Sequence, residues 1–391
     1  MAEMKPLGVD QTTGQKRSVE SGDSVVNNVG NQIEIAVTNV FDYSSNTRNR
    51  VTALFPWENA SILTTPGSAP TGTVYTADWS PNGEFLVYGH LNSPNITIYQ
   101  KTGKSFNRTN PSTLPPAGGV LKTSWSSNGE FLACALNHPD VLTLYQRSGS
   151  VFTKIANPTT LPGPWGWSVA FSPNGEFLAV GGSSSPYLVI YQRSGTTFTK
   201  LSDPATLPSS RVYLGWSPNG EFLTAGDAST SGLFTYQRSG TTFTKLPDPA
   251  TLPAGGSNDV VWSPDGKFLA VGHTSSPYMT IYQKSGTTLN KIADPSTLPT
   301  SQSQDVSWSP NGEFLGLTAT WFSTYQRSGS TFTKVTSPAI GFNSRSSDWS
   351  PDGQFLAIGR SAGTYIEIFQ TAGTMPDSGI LTIKGVIREG N

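Results

Sequence analysis

Apolar positions along this chain come in short runs, each closed by a turn signal, and no segment sustains a 3.6-residue apolar period. Residues 168–208, "SVAFSPNGEFLAVGGSSSPYLVIYQRSGTTFTKLSDPATLP", show the pattern in full. "SVAF" ends a first strand (A), and "PNGE" is a tight turn, because Asn-Gly tolerates positive φ and closes hairpins. "FLAVGG" is a second strand (B), whose unbroken apolar run fits burial on both faces. "YLVIYQ" is a third strand (C), "RSG" turns the chain, and "TFTKL" is a fourth (D). Proline cannot donate to a β-ladder, so "DPATLP" leaves the sheet and crosses to the next unit.

The unit recurs seven times. The phrase typified by "WSPNGEFL" begins at Trp79, Trp125, Phe171, Trp216, Trp262, Trp308 and Trp349, in steps of 46, 46, 45, 46, 46 and 41 residues. A second phrase, typified by "YQRSG", follows at Tyr99, Tyr145, Tyr191, Tyr236, Tyr282 and Tyr325, and decays to "FQTAG" at Phe369. Four-stranded units of this length repeated radially predict a β-propeller; a solenoid would use shorter coils. The last unit has no strand D of its own. The missing strand is found at the other end, in "WENASILTTPGSAP" (57–70), where Pro66 and Pro70 precede Trp79 by the same 13 and 9 residues that separate Pro249 and Pro253 from Trp262. The expected fold is therefore all-β: a seven-bladed β-propeller of four-stranded blades, closed by an N-terminal outer strand. Closure removes the open edges of a linear array. Residues 1–55 form an N-terminal attachment region, 56–373 the propeller, and 374–391 a strand-like tail. In that tail "GILTIKGVI" would pack with "QIEIAVTNV" or "RVTALF" as a small β module.

The repeats align with one another and so sort the loops. A–B and C–D turns share one face, which barely varies. Glu84, Glu130, Glu176, Glu221 and Glu313 follow the turn glycine, with Lys267 and Gln354 as exceptions, and Lys101, Arg147, Arg193, Arg238, Lys284 and Arg327 stand nearby. A solvated rim of mixed charge is the expectation there; a symmetric docking face is the alternative. The opposite face, made of B–C and D–A loops, varies from blade to blade. On adjacent blades it offers Trp165, Trp167, Tyr187, Arg211 and Tyr213. Exposed aromatics with an arginine make a protein hot spot, and aromatic platforms also stack on sugar rings. The competing reading is that Trp165 and Trp167 cover the core at a blade junction.

Composition narrows the chemistry. Over 391 residues the formal net charge is −1 and charged residues are 13%, so the basic excess of a nucleic-acid footprint is missing. No run approaches the length of a membrane span, and the N-terminus carries no apolar segment of the secretory kind. One cysteine, Cys134, and three dispersed histidines, His90, His138 and His273, leave no zinc constellation. "GRSAG" (359–363) matches G-x-S-x-G but lies between two strands, away from the strand-to-helix elbow a nucleophile needs. Two aspartate pairs remain: Asp259 with Asp305, three residues before Trp, and Asp78 with Asp348, one residue before it. Such pairs hold a cation, work as acid and base, or bond loop amides structurally; the last is the expectation, with no metal and no cofactor.

The seven units resemble the WD-repeat propeller family, in particular its bacterial-type blades, over about residues 57–370. Strand C ends in Tyr-Gln where the family has Trp-Asp, and no Gly-His pair precedes strand A, so the family's Asp–His–Ser–Trp network is not expected. The opening "MAEMKPLGVDQTTGQKRSVESGDSVV" resembles the N-termini of tailed-bacteriophage virion proteins, in which this part attaches a fibre, spike or decoration subunit. That resemblance implies a non-enzymatic structural or adhesive virion protein. It would be anchored to other virion proteins through residues 1–50, could be oligomeric in the particle, and would display its propeller to a host-surface glycan or protein. The alternatives are a cytoplasmic WD-repeat-like interaction scaffold and a propeller hydrolase acting on glycans or lactones through its central aspartates.

Overall fold

A computed structural model describes residues 61–370, apart from 64–65, 67–68, 336 and 338–342, together with the short strands Ser24–Val26 and Glu34–Ala36. The chain divides into two units, Trp57–Met375 and the two ends Met1–Pro56 with Pro376–Asn391. Within the second, Ser24–Val26 pairs antiparallel with Glu34–Ala36. The strand expected in "QIEIAVTNV" is thus present in part, and its partner comes from residues upstream of it, neither "GILTIKGVI" nor "RVTALF". The C-terminal segment "GILTIKGVI" lies outside the described residues, as does "RVTALF".

Residues Trp57–Met375 contain seven four-stranded antiparallel sheets, each in the order A-B-C-D. In blade three the strands are Gly166–Phe171, Phe177–Gly182, Leu188–Ser194 and Thr197–Lys200. Strand B is buried along its whole length, whereas strand D alternates exposed and buried positions. This follows from the stacking: strand B is covered by blades on both sides, and strand D is the outer rim.

Adjacent blades are joined by aromatic triangles. Phe177 of strand B meets Trp216 and Phe243 of blade four with ring centroids 6.3 and 5.9 Å apart, and those two rings are 5.8 Å apart. The repeated "W…F…F" positions are therefore the interblade core, each ring pair adding about 0.5–1.5 kcal/mol beyond its buried area. The triangle also closes the ring: Phe355 of blade seven lies 6.0 Å from both Trp79 and Phe106 of blade one. Covalent continuity is replaced there by strand pairing. Ser61–Ile62 adds as the outer strand to Ile366–Gln370, with Ser61 opposite Gln370 and Ile62 opposite Phe369. Pro66 and Pro70 are buried, as Pro249 and Pro253 are.

The invariant face is knitted rather than merely solvated. In the turn after Trp79, Gly83 takes φ +68 and its N–H donates to the Ser80 carbonyl at 2.8 Å. Ser80 Oγ accepts from Phe85 N–H and donates to Asn82 Oδ1, so Ser80, Asn82, Gly83 and Phe85 each have a place in the turn. The basic side chains lie over the strand B phenylalanine of the preceding blade: Arg147 over Phe85, Arg193 over Phe131, Arg238 over Phe177, Lys284 over Phe222 and Arg327 over Phe268, at 4.6–5.2 Å. Lys101 over Phe355 repeats this across the closure. Cys134 is buried in strand B of blade two, and burial pushes its thiol well above the usual range.

Candidate recognition site at the channel mouth

Strand A is the innermost strand, with a free edge and backbone N–H groups that need acceptors. The preceding blade supplies them. Asp259 Oδ2 accepts from Val306 N–H at 3.2 Å, Asp305 Oδ2 from Ser347 N–H at 3.0 Å, and Asp348 Oδ2 from Trp79 N–H at 2.7 Å. Where the blade carries serine, Ser168 Oγ serves Leu214 and Ser124 Oγ serves Phe171. The four aspartates flagged in the sequence are thus positioned along the inner edge, and three of them cap strand A of the next blade.

Lys122 reaches into this set and bonds Asp259 at 3.1 Å and Asp305 at 3.0 Å. Burial by itself would lower the ammonium's pKa; the two carboxylates outweigh it and hold Lys122 above its ordinary value. Asp78 has no such partner, and its Oδ2 is buried without a hydrogen bond. Burial pushes its carboxyl up to about 7, against a bond from Thr123 and the charge of Lys122. Asp348 is raised as well, by burial and by its neighbour Asp78. Among the described residues no group of His, Cys, Asp or Glu has the geometry to hold a metal ion.

Above the aspartates the channel opens on the variable-loop face as a cavity of about 380 Å³. Its lining has a common origin. In five blades the A–B register shifts by one residue, between Val74/Thr76, Val120/Lys122, Gly166/Ser168, Ser257/Asp259 and Ser344/Ser346. The residues skipped are Tyr75, Leu121, Trp167, Asn258 and Arg345, and all five line the cavity. A β-bulge re-aims a side chain, and here the same bulge turns one side chain per blade towards the axis. Blade four is one residue shorter and keeps its register; Arg211 and Tyr213 enter the lining instead.

Two guanidinium groups are fixed by stacking. Arg211 lies 4.3 Å from the ring centre of Trp167, and Arg345 lies 4.4 Å from that of Tyr75. Arg345 also donates to Gln304 Oε1 at 3.4 Å. Among the described residues neither arginine makes an ion pair. The nearby carboxylate of Asp227 is engaged by Ser209, Ser210, Ser229 and Thr230, whose hydrogen bonds overcome partial burial and hold it below its ordinary range. Burial raises the Tyr213 hydroxyl, which also feels the charges of Arg211, Asp259, Lys122 and Arg345.

The structure brings Trp167, Arg211 and Tyr213 together at this cavity and leaves Trp165 and Tyr187 outside its lining. Trp165 is 46% exposed and its carbonyl accepts from Ser183 N–H; Tyr187 sits half-buried in the B–C loop of the same blade at φ +51. Sequence reasoning missed Tyr75, Asn258, Gln304 and Arg345. The usable signal was a slot four residues before the repeat Trp, which reads Tyr, Leu, Trp, Val, Asn, Gln, Arg round the ring. His90 and His273 do not line the cavity: each is buried at the end of strand B and bonds the hydroxyl of Thr97 or Thr280.

The family described as WD domain, G-beta repeat matches residues 159–188, the loop and strands leading through A and B of blade three. No curated protein sequence matches the chain. Among solved structures, the Kuenenia stuttgartiensis hydrazine synthase is 15% identical, with a TM-score of 0.60 over 80% of this chain and 99% of that one. The Cps50 (Swd1) β-propeller domain of Myceliophteria thermophila is 12% identical, with a TM-score of 0.61 over 80% and 100%. A chain of the mitotic checkpoint complex is 18% identical, with a TM-score of 0.60 over 80% and 95%. At these identities the likeness is one of fold. The chain is a seven-bladed β-propeller with a WD repeat, whose variable-loop face carries a polar cavity at the channel mouth.

Proposed function

We propose that this protein is a non-catalytic recognition module that captures its partner on the variable-loop face. The observation that carries the reading is the asymmetry of the two faces. The charged side chains of the invariant face are spent on turns and on the neighbouring blade. The variable face presents Trp165 and Trp321, both 46% exposed, and at the channel mouth two arginines with no ion pair among the described residues. Aromatics and arginine are the residues that anchor interfaces. A hydrolase reading finds less support, since Asp259 and Asp305 are already engaged by Lys122 and by backbone amides.

The test is retention of labelled protein by soluble and envelope fractions of its source. Trp165→Ala and Arg211→Gln are expected to abolish retention, and Glu176→Gln and Arg193→Gln on the opposite face to leave it intact. Retention that survives the first pair, or is lost with the second, overturns the assignment of the face.

Two settings would use such a module. Display on a bacteriophage particle is motivated by the sequence of residues 1–26, and a cytoplasmic scaffold by the WD repeat. Mass spectrometry of purified particles, made with the full chain and with residues 1–50 deleted, separates them. Incorporation of the full chain alone supports the virion setting; absence of both, or presence of both, removes it.

A further inference from the structure

We infer that the channel-mouth cavity is a binding site for an acidic sugar, a ring bearing a carboxylate or sulfate, whose anionic group is held by Arg211 and Arg345. The inference rests on the recognition reading above and names the ligand class for that face.

Three observations carry it. The first is charge. Arg211 and Arg345 both line the cavity, and among the described residues neither has a carboxylate partner. Lys122, the third cation of the lining, is engaged by two carboxylates, Asp259 and Asp305, the second of which also lines the cavity. The free positive charge at the mouth therefore belongs to the two guanidinium groups, which bind carboxylates and sulfate-like anions through paired N–H donors.

The second is preorganisation. Arg211 is stacked on Trp167 and Arg345 on Tyr75, so less side-chain freedom remains to be lost on binding an anion.

The third is the remaining lining. Asn258, Gln304, Thr274 and Tyr213 surround the same space, and each can both donate and accept hydrogen bonds. An isolated carboxylate needs donors only, whereas a polyhydroxylated ring needs both kinds at once. The volume of about 380 Å³ lies within the range of small-molecule sites.

The experiment is a glycan array probed with the full chain, carrying uronate-terminated, sialate-terminated, sulfated and neutral glycans, followed by calorimetry on the best oligosaccharide and on tetraglutamate. Binding is expected for carboxylated or sulfated glycans and not for neutral ones; which of the two binds identifies the anion. Arg211→Gln and Arg345→Gln should each weaken it at least tenfold, Arg193→Gln on the opposite face should leave it unchanged, and binding should weaken as salt rises. A melting curve confirms that each variant is folded. Because Arg211 is also stacked, Arg211→Lys is the second variant, keeping the charge and recovering part of the affinity.

The inference is overturned if no acidic glycan binds, if tetraglutamate binds as tightly as the sugar, or if the two arginine variants bind like the wild type. In the first two outcomes, loss of fraction retention in Trp165→Ala would leave the recognition face standing and remove only its ligand class.

Discussion

Single residues divide here by the state of their charge. Lys122 is the one cation between two buried carboxylates, and removing one partner of a buried ion pair costs about 3–5 kcal/mol. Lys122→Met is therefore expected to destabilise the ring by about 3 kcal/mol at pH 7, measured by urea unfolding. The loss should shrink at pH 5, below the pKa of about 7 to which burial raises Asp259, and Asp259→Asn with Asp305→Asn in the same chain should recover much of it. Two other residues give opposite pH signatures. His90 is buried as the neutral tautomer: Nδ1–H donates to the Asn92 carbonyl and Nε2 accepts from Thr97. Burial lowers its pKa to about 4 from 6.5. Its stabilising contribution is complete above pH 6.5 and is lost as pH falls towards 4, by at most about 3 kcal/mol. Asp78 is raised to about 7 from 3.8, so its contribution is complete below pH 3.8 and is lost as pH rises through 7. Unfolding series over pH 4–8 should show His90→Gln flattening the acid limb relative to wild type. Asp78→Asn should gain most at pH 8; equal gains at pH 4 and pH 8 would remove the assigned shift.

At the level of the element, the repeated phrases are instructions for joining blades. In blades two to five the strand C tyrosine donates to the threonine carbonyl of the loop that enters the blade: Tyr145 to Thr113, Tyr191 to Thr160, Tyr236 to Thr206 and Tyr282 to Thr251. That is why "P-x-T-L-P" and "YQ" recur together. Strand B glycines mark close approaches between blades. A Cβ on Gly359 would fall 2.4 Å from Val74 Cγ1 and from Ser346 Oγ, and one on Gly226 would fall 2.7 Å from Ser257. Gly359→Val is accordingly expected to cost about 1–3 kcal/mol through overpacking, read as a lower urea midpoint at unchanged slope. The bulge in strand A is the element with functional weight, because it alone decides that Tyr75, Asn258 and Arg345 line the channel mouth. The sequence carries no separate mark for it: blade four, one residue shorter, keeps its register, but so does blade six at the common spacing of 46.

For the whole molecule the decisive contact is the closure. Ser61–Ile62 satisfies the outer edge of Ile366–Gln370, while Phe355, Trp79 and Phe106 fill the space behind it. Deleting residues 1–55 should leave the melting temperature of the ring within about 2 °C. Deleting 1–65 should lower it by more than about 5 °C and expose an edge that promotes association. Differential scanning calorimetry with light scattering distinguishes the two; equal melting temperatures would mean that the borrowed strand contributes nothing to closure.

The sequence by itself determined the blade count, the strand order, the turn chemistry and the borrowed strand. Those rest on local rules, positive φ at Asn-Gly and Asp-Gly, proline exclusion from ladders and apolar runs of strand length, repeated seven times over. Only the tertiary structure decided which side chains meet across the channel. Lys122 lies 137 residues from Asp259 and 183 from Asp305, and Arg345 reaches Tyr75 across the closing junction. Those meetings depend on which repeats face one another across the closed ring and on a one-residue register shift in strand A, and the local rules of a single repeat specify neither. For the same reason Trp165 and Tyr187, close in sequence to Trp167, stand outside the cavity lining, while residues from remote repeats complete it.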